Sequence, residues 1–287
     1  MWDRISYTWG LMRSSWDILK QDKTLLLFPL LSGLCCLLVL ASFAVPMWVT
    51  GFWQPPARAA APAQQVAYYG VLFVFYFCNY FVITFFNTGI VACAIRRMRG
   101  ESATFTDGMA LAFSQIHLIA GWALVSASVG LILRIIEDRS AKIGAIVAGL
   151  LGMAFTVVSF LVVPVLVAEN KGPFAALATS TKLLRKTWGD QLVGNFSFGL
   201  VFFVLGIPAF ILIGVGVFLA VGAGGGAMGL SGLILCGAIG VLYLVILSLI
   251  QSALQSIFQA AVYFYSAEGA APVGFEMSTM RSAMRTK

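Results

Sequence analysis

The longest run of residues without a charge constrains this chain more than any other feature of its sequence. It extends from Gln191 to Ala267, so that 77 consecutive residues contain no Asp, Glu, Lys or Arg. A helix that crosses the roughly 30 Å hydrocarbon core of a bilayer needs about 20 apolar residues, so this run is long enough for two crossings. The glycine-rich segment Gly222–Gly229 divides it, and clustered glycines favour a turn. We predict membrane spans near 191–220 and 231–265.

Shorter uncharged stretches predict four more spans. They lie near 25–49, 66–95, 113–136 and 143–168, and the proline-containing segment Gly51–Gln65 separates the first two. Only 10% of the residues are charged and 60% are hydrophobic, whereas about 25% charged residues is usual in soluble domains. This composition excludes a soluble enzyme, a disordered chain and a secreted disulfide scaffold. Lipid offers no partners to backbone groups, so the spans are expected to be helices. The predicted fold class is an all-α polytopic membrane protein, with six transmembrane helices in a single membrane domain, 1–287.

The distribution of Lys and Arg sets the expected orientation of these spans. Of the 18, 14 lie near the termini or just after the second and fourth spans, and the other four are Arg58, Arg134, Arg139 and Lys142. Positively charged loops stay on the cytoplasmic side, so we expect both termini in the cytoplasm and the protein in a bacterial inner membrane. The net charge of +7 is then explained by topology and by contact with anionic headgroups. No nucleic-acid partner is predicted.

Amphipathic segments accompany the hairpins that pairs of spans form. In the N-terminal segment, 1–22, apolar residues recur at spacings of three and four, which is typical of a helix in the membrane interface. Similar segments follow the second and fourth spans, at Phe105–Phe113 and Pro173–Thr187, and a weaker one lies in the cytoplasmic tail, 268–287. These cytoplasmic amphipathic helices favour a threefold pseudo-repeat of helix and hairpin. The expected interfacial anchors are Trp2, Trp9, Trp16 and Trp188.

The sixth span carries a polar stripe within an otherwise apolar helix. Its glutamines and serines recur every four residues, and polar residues of the second span are expected to face them. The predicted polar intramembrane face comprises Asn79, Thr84, Asn87, Ser248, Gln251, Ser252, Gln255 and Gln259. Polar groups in hydrocarbon need partners, which leaves two interpretations open: a polar pathway or headgroup-binding groove, and hydrogen bonds that hold helices together. The small residues Gly232, Cys236 and Gly240 also predict a close helix contact, within the chain or between protomers.

One cluster of charges lies at the far end of the third span, on the expected non-cytoplasmic side. It comprises Arg134, Glu137, Asp138 and Arg139. Arg134 is three and four residues from the two carboxylates, a spacing that brings side chains together on a helix. The cluster is therefore interpreted either as a rim of ion pairs that ends the helix or as a ligand site. Adjacent carboxylates point in different directions, which argues against a catalytic dyad.

Catalytic and metal chemistry have little support in the sequence. The single histidine, His117, has no neighbouring ligands, and the five cysteines fall within predicted spans without metal-ligand spacing. We predict no metal, no cofactor and no enzymatic activity. An enzyme would instead require carboxylates among Glu101, Asp107, Glu169 and Glu268 to converge in one cytoplasmic pocket.

Several stretches together resemble an uncharacterised family of bacterial integral-membrane proteins. The resemblance rests on Ser15–Gly33, Trp122–Glu137, Val163–Glu169 and Ala178–Gly189, and extends from the first residue to about Asn195. More distantly, the layout is similar to the membrane domain of bacterial glycerophosphodiester phosphodiesterases. The resemblance implies a multi-span inner-membrane protein and transfers no catalytic residue.

Two functions of different classes are compatible with these features. The first is a non-enzymatic accessory or scaffold protein that interacts with membrane lipids, with a partner membrane protein or with copies of itself. The second is a passive channel or transporter for a small solute or lipid, which would use the polar face of the sixth span. A continuous cavity lined by Gln251, Gln255 and Asn87 would favour the second function. A dry core of hydrogen-bonded glutamines would favour the first.

Overall fold

The fold is built from helices throughout the part of the chain that can be described. The computed structural model describes residues 13–50, 61–139, 143–186, 190–222 and 227–269, and no strand occurs among them. The chain begins with helix α1 (residues 13–21) and a 3₁₀ turn, Lys23–Leu26. The helices that follow are α2 (Leu27–Val49), α3 (Pro62–Met98), α4 (Phe105–Ser114), α5 (Ile116–Arg139), α6 (Ile143–Ser159), α7 (Val162–Glu169), α8 (Pro173–Lys186), α9 (Asp190–Gly222) and α10 (Ala227–Glu268).

Six segments of the described residues are long and apolar enough to cross a membrane, which confirms the predicted number of spans. They are Lys23–Val49, Pro62–Met98, Ile116–Asp138, Ile143–Glu169, Val201–Gly222 and Gly229–Glu268. Each overlaps a span predicted from the uncharged stretches, because length and hydropathy are properties of a local window. The protein is an all-α polytopic membrane protein.

The third span begins later than the predicted 113–136. The chain turns at Gln115, so that Ser114 ends α4 and Ile116 begins α5. Helix α4 itself begins with a capping box, in which Thr104 and Asp107 each accept a hydrogen bond from the other's backbone N–H. Phe113 therefore belongs to the short helix that precedes the span. The residues on both sides of Gln115 are uncharged, so the charge pattern does not reveal this boundary.

The fourth span, predicted as one helix over 143–168, is two helices with a break at Phe160 and Leu161. Pro164 explains the break, because in a continuous helix its ring would clash with the carbonyl of Phe160 four residues earlier. Ser180 on α8 satisfies two backbone groups freed by the break. Its hydroxyl donates to the carbonyl of Val158 at 2.7 Å and accepts from the N–H of Leu161 at 3.2 Å.

The core lies at one end of the bundle. In α10 the exposed large apolar side chains all lie between Leu230 and Ile246, whereas buried residues concentrate between Ala253 and Phe264. In α3 the described pattern is the same, with exposed Val66, Val74 and Ile83 followed by a mostly buried stretch up to Met98. We call the region with exposed apolar side chains the lipid-facing belt. We call the buried remainder of α3 and α10, with α1, α4, α7 and α8, the packed end.

Helices α9 and α10 form a hairpin through small residues, as the sixth-span glycines predict. A Cβ atom on Gly216 would come within 2.9 Å of the Cβ of Cys236. A Cβ atom on Gly240 would come within 2.6 Å of the side chain of Ile213. The close approach predicted at Cys236 and Gly240 therefore occurs within the chain. Helix α9 packs mainly against α10 among the described residues.

Candidate functional site

Three helices that end at the packed end are followed by a residue of the same backbone conformation. Helices α3, α7 and α10 are followed by residues in the left-handed conformation: Gly100 with φ +82°, Asn170 with φ +48° and Gly269 with φ +69°. Such residues end a helix by turning the chain away from its axis. The three turns are thus alike in conformation. After the first two turns the chain enters the short helices α4 and α8.

An ion pair joins the turn before α2 to the end of α3. The guanidinium of Arg97 contacts the carboxylate of Asp22 and donates to the carbonyl of Ala103 at 3.0 Å. The other carboxylate oxygen of Asp22 accepts from the N–H of Thr24 at 2.9 Å. The Asp22 side chain is 12% exposed and that of Arg97 is 24% exposed. Shielded from water, this pair is screened less than a surface pair.

Other ion pairs join the helix ends that meet here. Arg99 on the α3 end binds Glu268 at the end of α10, at 2.9 Å. Arg96 pairs with Glu101 at 3.2 Å and lies 3.7 Å from Asp107. The pair of Arg99 and Glu268 connects residues 169 apart and so reports the tertiary arrangement of the packed end, whereas the contacts of Arg96 are local and hold the turn between α3 and α4.

Glu169 at the end of α7 is also engaged. It pairs with Lys171 and accepts a hydrogen bond from the hydroxyl of Tyr263 on α10 at 3.0 Å. The carboxylates Glu101, Asp107, Glu169 and Glu268 therefore each have a recorded partner. A pocket of about 460 Å³ opens between α3, α4 and α7, and of these four carboxylates only that of Asp107 lines it. Glu101 and Asp107 share Arg96, whereas Glu169 and Glu268 have partners of their own.

Among the carboxylates outside the membrane spans, Asp107 has a clearly shifted pKa. Its pKa is lowered because the backbone N–H and the hydroxyl of Thr104 both donate to the carboxylate. The nearby guanidinium of Arg96 acts in the same direction. Asp107 is thereby held in the charged form at the first turn of α4, where a negative charge is favourable.

The polar face predicted on the sixth span is divided between two environments. Ser248 and Gln251 line an open groove of about 390 Å³ between α9 and α10, beside Gly199 and Gly206. The Ser248 hydroxyl donates to the carbonyl of Val245 in its own helix at 2.8 Å. Ser248 is the exposed member of the predicted face, and Gln251 is partly buried.

The remaining residues of that face lie in the core or bond locally. Ser256 is buried and its hydroxyl donates to the amide oxygen of Asn87 at 3.3 Å, joining α10 to α3. Asn79 donates to the carbonyl of Phe75 in its own helix at 2.9 Å. Thr84 is buried, and the partly buried members are Ser252, Gln255 and Gln259. Asn87 and Gln255 do not line the groove that contains Gln251, so this groove is not the continuous cavity expected of a pathway.

The cluster at the end of α5 forms local ion pairs. Arg134 lies 3.5 Å from Glu137 and 3.4 Å from Asp138. The hydroxyl of Tyr69, near the start of α3, donates to Asp138 at 3.4 Å. The cluster therefore lies at the end of the bundle opposite the packed end. These contacts support a rim of ion pairs, and the side chain of Arg139 lies outside the described part.

An apolar groove at the packed end was not predicted. It has a volume of about 490 Å³ and lies where α1 meets α9 and α10. It is lined by Arg13, Trp16, Val201, Phe202, Leu205, Leu247, Ile250 and Leu254. The spacing of Arg13 and Trp16 was visible in the sequence, but the helices that α1 packs against were not. Of the predicted tryptophan anchors, Trp16 lies here, whereas Trp2, Trp9 and Trp188 lie outside the described residues.

Metal-binding groups are absent from the described ranges. No set of three or more His, Cys, Asp and Glu side chains within them could hold a metal ion. The five cysteines are free. Cys93 is the buried member, and its thiol donates to the carbonyl of Thr104 at 3.3 Å.

Comparisons with known proteins identify a family but no activity. A family model described as a family of unknown function, DUF6159, matches residues 66–274. No curated protein and no solved structure matches the chain. The match includes the last span and omits Ser15–Gly33, so its extent differs from that of the resemblance drawn from the sequence. The more distant likeness to phosphodiesterase membrane domains gains no support from these comparisons.

Proposed function

Since the chain belongs to DUF6159, a family of unknown function, we propose its role from geometry: it is a non-enzymatic accessory protein that gathers anionic lipid at its packed end. We place it in the bacterial inner membrane with both termini in the cytoplasm. The observation that carries the proposal is the position of the core. The folded interior lies where α3, α7 and α10 end, beside their basic residues, and the rest of the bundle exposes apolar side chains.

Charge supports the proposed orientation. Arg96, Arg97 and Arg99 follow the second span, and Lys171 follows the fourth, all at the packed end. Positive residues beside spans favour the cytoplasmic side. Those four side chains are paired with carboxylates, whereas Lys182 and Arg185 on α8 are exposed, and anionic lipids of the cytoplasmic leaflet attract an exposed basic residue by about 1 kcal/mol. A packed, basic end facing that leaflet is suited to hold lipid or to present it to a partner membrane protein.

The orientation is tested by labelling introduced cysteines in intact cells. In a variant without its five native cysteines, Ala61→Cys marks the start of α3 and Lys182→Cys marks α8; both positions are exposed. A membrane-impermeant maleimide should label Ala61→Cys in intact cells and Lys182→Cys only after the membrane is disrupted. The reverse pattern would contradict the proposed orientation.

The proposed binding of anionic lipid is tested by native mass spectrometry of protein extracted from its own membrane. We expect anionic phospholipid to remain bound through a delipidating detergent wash, at a defined stoichiometry. Protein that emerges free of lipid, as a folded species, would refute the role. A partner protein or a second copy that co-purifies at fixed stoichiometry would identify the accessory target.

One observation favours a second candidate, a passive pathway. Ser248 and Gln251 line the open, mostly apolar groove between α9 and α10, and two polar side chains in a groove at the lipid boundary could contact a passing headgroup or small solute. Liposomes that contain the purified protein would then release a small trapped solute, or scramble labelled lipid, faster than empty liposomes. Gln251→Leu should abolish that activity. Liposomes that stay sealed and do not scramble would eliminate the pathway and leave the accessory role.

A further inference from the structure

The apolar groove at the packed end is formed by one face from each of three helices. Arg13 and Trp16 are three residues apart on α1. Val201 and Leu205 are four apart on α9, and Leu247 and Leu254 are seven apart on α10, which are spacings that align side chains along a helix. The volume of about 490 Å³ lies within the range of small-molecule sites.

The groove lies where the lipid-facing belt gives way to the packed end. On α10 its residues begin at Leu247, one residue after Ile246, the last exposed large apolar residue recorded on that helix. On α9 they lie among described residues with exposed apolar side chains, which include Phe203 and Leu205. Toward the packed end the lining becomes buried, as Leu254 is 3% exposed. The groove therefore opens toward lipid at the level of the interface.

A positively charged helix face borders the apolar walls. Arg13 lines the groove and is exposed, and no carboxylate partner for it occurs among the described residues. The ammonium of Lys20 lies 5.6 Å from the centre of the Trp16 ring, a cation–π distance. Because residues 13, 16 and 20 are spaced by three and four, both cations and the indole share one face of α1. The exposed Asp17 lies on the same face, so the net charge of that face is +1, and Arg13 is the charged side chain that lines the groove. Tryptophan and basic side chains together are typical of the headgroup level of a membrane.

We infer that this groove binds an anionic phospholipid, with an acyl chain along Val201, Leu205 and Leu247 and the phosphate at Arg13. The inference rests on the proposed lipid-gathering function and assigns that function to a defined site. Charge complementarity identifies the occupant: the walls are apolar and the polar group that lines them is a cation. A zwitterionic lipid would fit the same walls but would gain less from Arg13 and Lys20.

Binding is measured by native mass spectrometry of the delipidated full chain, titrated with phosphatidylglycerol or phosphatidylcholine. We expect tighter binding of phosphatidylglycerol. Arg13→Gln should weaken its binding about fivefold, the factor that corresponds to about 1 kcal/mol for one basic residue, and should leave phosphatidylcholine unchanged. Arg185→Gln is the matched control, because Arg185 is an exposed residue of α8 outside the groove. It should bind both lipids like the wild type.

The acyl-chain contact is tested separately. Val201→Trp fills the groove and should weaken binding of both lipids, with thermal unfolding confirming that the variant folds. In the wild type, a phosphatidylglycerol with a photoreactive acyl chain should crosslink to α9 and α10 between residues 201–205 and 247–254. Crosslinks confined to other helices would overturn the site even if Val201→Trp does not fold.

Three further outcomes decide against the groove. Equal losses for Arg13→Gln and Arg185→Gln would show diffuse electrostatic attraction. Lipid retained by the wild type and by both groove variants would refute this site while leaving the lipid-gathering function intact. A dimer that Val201→Trp converts into a monomer would show that a second copy occupies the groove.

Discussion

The hydroxyl of Ser180 on α8 donates to the carbonyl of Val158 on α6 at 2.7 Å, across the break in the fourth span. It also accepts from the N–H of Leu161, so one buried side chain serves two backbone groups on either side of the break. Helix α8 is therefore part of the span's own hydrogen-bonding scheme. This relationship explains why a short helix between two spans is held so closely against the bundle.

Ser180→Ala should destabilise the protein. Two buried backbone groups would lose their partner, and each unsatisfied group costs about 1–3 kcal/mol. Thermal unfolding of the purified protein in detergent measures the loss. Ser128→Ala is the control, because the Ser128 hydroxyl donates to the Leu124 carbonyl of its own helix. Equal unfolding temperatures for the two variants would show that the bridge contributes no stability.

Gly108→Ala should destabilise the contact between α4 and α3. An added Cβ would lie 2.6 Å from the carbonyl oxygen of Gly89 and 2.7 Å from the ring of Phe28, so the helices would have to separate. Overpacking of this kind costs about 1–3 kcal/mol. Gly149→Ala is the control, because nothing lies within 4 Å of an added Cβ there. The unfolding temperature should fall for Gly108→Ala only, and a similar fall in both variants would refute the tight contact.

Asp22→Asn should destabilise the protein more than Glu268→Gln. The Asp22 carboxylate is 12% exposed and pairs with the partly buried Arg97, and hydrogen bonds to charged groups contribute about 1.5–3 kcal/mol. The side chains of Arg99 and Glu268 are 47% and 39% exposed, respectively. Surface ion pairs of this kind contribute about 0–1 kcal/mol. Thermal unfolding at low and high salt compares them. Equal losses, or a loss for Asp22→Asn that salt abolishes, would contradict this ranking.

The stabilising effect of Asp107 should depend on pH. Its pKa in the folded protein is lowered by hydrogen bonds from Thr104, so its contribution is present above the ordinary carboxyl pKa and is lost as the pH falls through the lowered value. The difference in unfolding temperature between the wild type and Asp107→Asn should therefore be full at pH 7 and shrink in acid.

The cause of that pH dependence is tested with a double-mutant cycle. In a Thr104→Val background the carboxylate loses the donated hydroxyl hydrogen bond, so Asp107→Asn should have a smaller effect at pH 7. A pH-dependent difference of the same size in both backgrounds would assign the effect to the backbone N–H of residue 104, which valine retains, to Arg96 or to the helix dipole instead of the Thr104 hydroxyl.

The candidate site could be predicted only in part. The sequence located the polar residues of the sixth span, because their four-residue spacing is a local pattern. It did not separate Gln251, which lines a groove with α9, from Ser256, which bonds to Asn87 on α3. Residues five apart on one helix point toward different neighbours, and the identity of those neighbours depends on packing.

The sequence by itself determined the number of spans and the helical class. These follow from the cost of charge in hydrocarbon and the length of a crossing, both of which depend on a short window of residues. Only the tertiary structure decided where the core lies and what α1 contacts. The pair of Asp22 and Arg97 joins residues 75 apart, and that of Arg99 and Glu268 joins residues 169 apart. Such contacts depend on how whole helices pack, and that packing concentrated the interior and the apolar groove at one end.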